Sequence, residues 1–334
     1  MVVLAAMVRA QWPALRAVWA GAALRPGWLA VSAAAVVASH AIYSRAWQEL
    51  LQQQIDAGAG RYTNDWMVPP PPPPAVPRRV RWVDVQRLLF VGDAGYFLPL
   101  GKAWQLSILA SLSARVRARE QTVVGTSLVL SLSSASGAAL LGVVAFALST
   151  APALGAALLL AVAAAGAGAA RVLAGPGGGP ARVPRFAAKA ARGPLAARWR
   201  GWLATHMPGR VGVGFVRAVG WSTLSWACYA AGVVAMQRGV LPASAAWDLA
   251  HACAVVGIAN TAGVLVPVMP AGLGVRDLGM VAVAGGLGIP GAGVLATAAA
   301  ERVWVGGVET CCILLSCTVL WTRRRLPAGR LPAG

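Results

Sequence analysis

The sequence predicts an all-α, polytopic membrane helix bundle of about eight segments, two of them broken or re-entrant and arranged as a candidate inverted repeat. Three observations predict it. Of 334 residues, 58% are hydrophobic and 12% charged, whereas a soluble chain carries about a quarter charged residues. Apolar runs near or above the roughly 20 residues that cross a bilayer recur through most of the chain. Two such runs are interrupted by Pro and Gly at similar points: LPLGKAW at 98–104 and MPAGLGVRD at 269–277.

Taken in order, residues 27–44 form the first span. Arg9, Arg16 and Arg25 precede it, which makes 1–26 a cytoplasmic N-terminal segment by the bias of basic residues toward the inner face. Residues 2–8 are apolar but too few for a signal-peptide core and follow no basic region, so the first span is expected to act as its own insertion signal. Residues 45–81 are polar, of mixed charge, and contain Pro69 to Pro74. That stretch is expected to be a Pro-rich loop outside the cell, extended as polyproline.

The next segment, 82–112, is interrupted by Gly92, Gly95, Pro99 and Gly101 and ends at Arg115, Arg117 and Arg119. Residues 121–149 and 151–173 then read as a tight helical hairpin turning near Pro152, with small residues that allow close packing. No acidic residue occurs between Glu120 and Asp248, while Arg171, Arg182, Arg185, Lys189, Arg192, Arg198, Arg200, Arg210 and Arg217 all do. The loop 174–212 is therefore expected to face anionic lipid in the cytoplasm. Spans at 213–236 and 245–267 follow, then the broken segment 268–290 and a long helix at 292–321. Arg323, Arg324 and Arg325 stop that helix, leaving 323–334 as a cytoplasmic tail and 27–322 as the transmembrane domain. If 268–290 crosses, the count is eight with both termini inside; if it re-enters, another boundary moves.

The net charge of +19 suggests nucleic acid at first sight, but basic residues gathered between spans are explained by topology, and no nucleic-acid partner is expected. Cys228, Cys253, Cys311, Cys312 and Cys317 lie in apolar stretches with no CxxC and no His at ligand spacing, so neither disulfides, zinc nor another cofactor is indicated. Arg outnumbers Lys 27 to 2, the mark of a GC-rich bacterial genome and hence of a bacterial inner-membrane location.

Proline removes a backbone donor and glycine frees the backbone, so each interrupted segment should be two half-helices around an unwound point. Pro99, Gly101, Pro270, Gly272 and Gly274 are the expected break residues. Such backbone survives at membrane depth only where protein buries it or water reaches it, and a pair of interrupted segments in opposite halves points to a transport site near the midplane. The plainer alternative is two surface turns from which Lys102 and Arg276 snorkel.

GLGVRD resembles the GGLGVRE signature of the lysylphosphatidylglycerol synthase transmembrane family, also called flippase-like membrane proteins. YFLPLGKAW, residues 96–104, resembles the K-Y-[IL]-P-G-K-V-W stretch of one branch of it, and Arg302, Trp304 and Glu309 match the R-x-W-x4-E pattern that follows on that branch's last helix. The resemblance covers roughly residues 27–322, with the motifs in family order. Ala271, Leu100 and Asp277 depart from the pattern. An acidic residue expected early in the helix after the first motif is absent, with Ser127, Ser131, Ser133 and Ser134 nearby, which implies a different substrate choice if that acid binds substrate elsewhere.

A charge at the centre of a membrane helix costs about 2.5–3.5 kcal/mol on insertion scales, so each one calls for a partner or a purpose. If the last helix protrudes at the outer face, Glu301 and Arg302 would sit near the interface, where Arg302 can snorkel. Glu309 lies deeper, two turns from Arg302 and on its face, and is expected to act as counter-ion or to contact a headgroup amine. Asp248 and His251, one turn apart, are expected to form an interfacial pair. Trp12, Trp19, Trp28, Trp47, Trp82, Trp221, Trp226, Trp247 and Trp321 read as an interfacial belt.

These residues predict a membrane lipid translocase in which Lys102, Arg276 and Arg302 meet a headgroup phosphate while Asp277 and Glu309 balance the site, the substrate being a phospholipid or a polyprenyl-linked sugar. The partners are then membrane lipids and, by the resemblance, a glycosyltransferase or other cell-envelope enzyme. Aminoacyl transfer would need several hundred further residues after Leu326. The alternative is a membrane-embedded glycosyltransferase or its accessory subunit, with Asp84, Asp93 or Asp248 as base.

Overall fold

The computed structural model describes residues 9–56, 79–97, 101–113, 120–158, 160, 211–242, 247–265 and 274–325. All regular structure among them is helical: α1 (Trp12–Ala20), α2 (Pro26–Asp56), α3 (Trp82–Asp93) continued by a 3-10 turn (Ala94–Phe97), α4 (Gly101–Ser111), α5 (Glu120–Thr150), α6 (Val211–Val240), α7 (Leu249–Leu265), α8 (Val275–Gly286) and α9 (Gly291–Arg325). The protein is a polytopic helix bundle. Within α2, α5, α6 and α9, four stretches, Pro26–Asp56, Thr122–Thr150, Gly214–Val240 and Gly291–Leu320, are long and apolar enough to cross a membrane. The Pro run, most of the basic loop, most of 151–173, the second leg of the expected hairpin, and the segments 98–100 and 266–273 lie outside the described residues.

α2 is longer than the expected first span, 27–44. It runs to Asp56, twelve residues beyond the expected end, because the polar residues 45–56 still have partners in the bundle: Gln48 donates to the Val80 carbonyl at 2.6 Å, Gln52 accepts from the Val80 amide at 2.8 Å, and Trp47 donates to Thr126 at 3.0 Å.

α2 and α6 are antiparallel partners. At one end the Ala23 and Arg25 amides donate to the Val240 and Gly239 carbonyls at 3.1 and 2.8 Å; at the other, Gly214 approaches Leu50 and Gln53. The first end defines a proximal face. There α1 lies across the bundle, Leu15 packing with Leu241 and Leu295 while Trp12 and Trp19 stay exposed. α5 begins at the opposite, distal face, where Thr126 meets Trp47, and ends at the proximal face, where Phe146 meets Gly286. α9 starts beside α1 and, at about 52 Å for 35 residues at 1.5 Å per residue, runs through to the distal face. The described ends of the chain, Arg9 and Arg325, therefore lie on opposite faces of the bundle, and the termini themselves, 1–8 and 326–334, lie outside the described residues.

Glycines set the closest helix contacts. A β-carbon placed on Gly257 of α7 would lie 2.6 Å from the Ala138 carbonyl oxygen of α5, and one on Gly137 would lie 2.8 Å from the Thr223 amide of α6. Close backbone approach of this kind substitutes for the hydrophobic force that lipid removes.

The first interrupted segment is a hairpin of two short helices, and the second contributes one short helix, α8, that pairs with the preceding α7. α3 and α4 have 12 and 11 residues, about 18 and 16 Å, too short to cross a hydrocarbon core of about 30 Å. They pack antiparallel: β-carbons on Gly92 and Gly95 would sit 2.6 Å from the Leu109 side chain and 2.5 Å from the Gln105 amide. Val80 ties the hairpin's start to the distal end of α2, and α5 begins again at that face, so the segment 82–112 enters and leaves on the distal side. α8, with 12 residues, is equally short. It returns along α7, Gly279 against Ala259, to the proximal face from which α7 started. The two hairpins thus enter from opposite faces, as the candidate inverted repeat requires.

Candidate functional site

The hairpin tips carry charged residues to the middle of the bundle, and α9 receives both. At the α8 tip, Gly274 adopts φ 85°, a left-handed conformation that costs glycine nothing. The turn points its amide at Asp277 Oδ2, 3.1 Å away, so the carboxylate fills one of the orphan donors of the α8 N-terminus. Arg302 of α9 donates to both oxygens of Asp277 at 3.1 Å. One position earlier, Arg276 donates to Glu301 Oε1, which also accepts from the Tyr229 hydroxyl of α6. Arg276 is 9% exposed and Glu301 2%. Glu301 is therefore enclosed by protein: the tip of α8 reaches inward and covers it.

At the α4 tip, Lys102 donates to Gln105 Oε1 at 2.6 Å and to Ser131 of α5. The Gln105 amide in turn donates to Asp93 at 2.7 Å, so one glutamine holds a cation and an anion apart while satisfying both. Asp93 lies within electrostatic reach of His40, Glu309 and Lys102. Glu309 has a partner the sequence did not suggest: His40 of α2, its Nε2 3.1 Å from Glu309 Oε1, with the imidazole against Phe90 at 5.1 Å between ring centroids.

The five candidate charges therefore fall into two adjoining clusters, Arg276, Asp277 and Arg302 with Glu301 and Tyr229, and Lys102 and Glu309 with His40, Asp93 and Gln105. Tyr229 lies within electrostatic reach of Glu301, Arg276 and Glu309 and so bridges them. Each cation already faces a carboxylate or a polar acceptor, so none waits as an open phosphate site. Exposure separates their roles: the side chains of Arg302 and Glu309 are each 27% exposed, whereas the Arg276 and Glu301 pair is sealed. Among the break residues Gly101 opens α4 and Gly274 opens α8, while Pro99, Pro270 and Gly272 lie outside the described residues.

Other expectations sort by depth. Asp248 and His251 do pair, at 3.0 Å and well exposed. Asp84 pairs with Arg87 at 3.7 Å, away from either tip. Of the tryptophans, Trp12, Trp19 and Trp28 are exposed as a belt requires, but Trp47 and Trp247 are buried and Trp226 donates to Ser134 at 3.1 Å. These three are packing residues.

The model of the family described as the lysylphosphatidylglycerol synthase TM region matches residues 1–304. The chain belongs to this family. It is a membrane protein of a lipid-related family, and the match ends inside α9, taking in Glu301 and Arg302 and stopping before Glu309. Neither the curated proteins nor the solved structures contain a match to the chain.

Proposed function

We propose that the protein is a lipid translocase that moves or binds a phospholipid or polyprenyl-linked headgroup through its charged interior. The observation that supports this most is the meeting of two half-length hairpins, from opposite faces, on one transmembrane helix. An uncompensated ionised group in hydrocarbon costs of order tens of kcal/mol by Born solvation, and the paired interior charges supply the compensation. Because each cation is already paired, a headgroup phosphate is accepted by exchange: the part-exposed Arg302 releases Asp277 and takes the phosphate, while Arg276 and Glu301 stay closed as the frame. Glu309 offers the corresponding contact to a cationic or hydroxyl part of the headgroup. Purified protein in vesicles containing a trace of fluorescent phosphatidylglycerol tests this. Dithionite quenches only the outer-leaflet half without protein and nearly all the fluorescence with it; quenching that stays at half rejects translocation of that lipid.

The orientation we assign makes the distal face cytoplasmic. Arg79, Arg81 and Arg217 are at that end and α9 finishes there at Arg323 to Arg325, against Arg9, Arg16, Arg25 and Arg238 at the proximal face. The bias of basic residues toward the inner side supports this choice. In a background without native cysteines, Ala22→Cys is expected to react with a membrane-impermeant maleimide on intact cells and Gln54→Cys only after lysis. The reverse pattern overturns the orientation.

A further inference from the structure

The charge count in the core is uneven. The α8 cluster holds two arginines and two carboxylates, Arg276, Arg302, Asp277 and Glu301. The α4 cluster holds two carboxylates, Asp93 and Glu309, against Lys102 alone, with His40 completing it. With a neutral imidazole the core is one negative charge in excess; with a protonated one it is balanced. A net charge at this depth is strongly disfavoured, and the imidazole already on Glu309 is placed to restore balance without a ligand.

We propose that His40 and Glu309 form a proton-binding site whose proton is exchanged when a headgroup engages Glu309. The groups facing the pair come from each helix around it: Asp93 on α3, Lys102 on α4, Tyr229 on α6, Glu309 on α9, and Ser131 on α5 through Lys102. Arg45 and Glu49, the nearest charges on α2 itself, close on each other at 3.5 Å. The imidazole and Glu309 are 17% and 27% exposed, enough for a proton to enter and leave, while Phe90 holds the ring from behind. With the proton present, His40 and Glu309 are an ion pair and Glu309 is occupied. When a cationic group of the headgroup takes Glu309, it replaces the imidazolium as counter-ion and the imidazole releases its proton, so the charge count stays even. The stoichiometry is one proton per Glu309 engaged.

The inference rests on the headgroup role given to Glu309, and its test reads the proton directly so that the two fail separately. His40, His206 and His251 are the chain's three histidines, and 15N-histidine NMR of the full chain in lipid nanodiscs resolves their protonation from pH 5 to 9, with His40→Gln assigning the signal. A reversible one-proton titration of His40 in this range is expected. Glu309→Gln should weaken its proton affinity about tenfold or more, the equivalent of one pH unit, and Asp248→Asn should leave it unchanged. A His40 signal that stays neutral throughout, or that ignores Glu309→Gln, overturns the proposal. His40 titration in a protein that moves no fluorescent lipid at any pH would uphold the proton site and reject the translocase instead.

Discussion

Arg276→Ala is expected to leave little folded protein. The substitution removes the cation bonded to Glu301 Oε1, at a carboxylate only 2% exposed whose second oxygen, Oε2, has no hydrogen-bond partner among the described residues. Tyr229 alone does not offset a buried negative charge. Breaking a buried pair by deleting one member costs about 3–5 kcal/mol, a large share of the 5–15 kcal/mol or so that separates folded from unfolded domains. Removing both charges is milder, because the penalty lies in the orphaned charge and not in the loss of attraction. Arg276→Met combined with Glu301→Gln should therefore melt closer to wild type than Arg276→Ala does. Thermal denaturation followed by size-exclusion chromatography in detergent measures all three, and a wild-type melting temperature for Arg276→Ala would show that Glu301 is not sealed by the α8 tip.

Gly257→Val should be nearly as damaging, for a steric reason. Its first added carbon meets the Ala138 carbonyl oxygen at 2.6 Å and Gly142 backbone at 2.8 Å, and backbone atoms have no rotamer with which to yield. Overpacking costs about 1–3 kcal/mol where side chains adjust, and more is expected where two helices must separate. Separation also lifts α7, along which α8 returns, so lipid movement should fall with stability. Gly220→Ala, with nothing within 4 Å of its added carbon, is the control expected to melt like wild type. Equal melting of both variants would remove the close α5 and α7 contact from the account.

Much of this was legible in the sequence because its causes are local. The apolar runs gave the long helices, and the Pro and Gly interruptions gave half-length helices at both broken segments, since backbone chemistry acts within a few residues. The family motifs singled out Lys102, Arg276, Asp277, Arg302 and Glu309, which the fold gathers into two adjoining clusters. The partners were harder. His40 and Glu309 are 269 positions apart, and Arg276 and Glu301 meet only because a loop and a half-helix return to α9. The signals were present as a lone His in the apolar first span, an Asp before the 96–104 motif and a Glu beside Arg302, but pattern alone does not say which charges share a depth.

One expected crossing was not legible for a specific reason. The segment 82–112 is long enough in sequence to be counted as a span, but its described helices pack against each other as a hairpin that starts and ends at the distal face, and that pairing of Gly92 with Leu109 and Gly95 with Gln105 has no signal in a local apolar pattern.

The measurement that bears most directly on a charged path for lipid headgroups compares three proteins in the same vesicles: wild type, Glu309→Gln, and Val303→Ala, the last on the lipid-facing side of α9 with Val303 79% exposed. The account predicts equal folding in all three, rapid loss of dithionite-protected fluorescence with wild type and Val303→Ala, and a rate at least about tenfold slower with Glu309→Gln, the equivalent of about 1.4 kcal/mol in the barrier. Identical rates for all three proteins would contradict it.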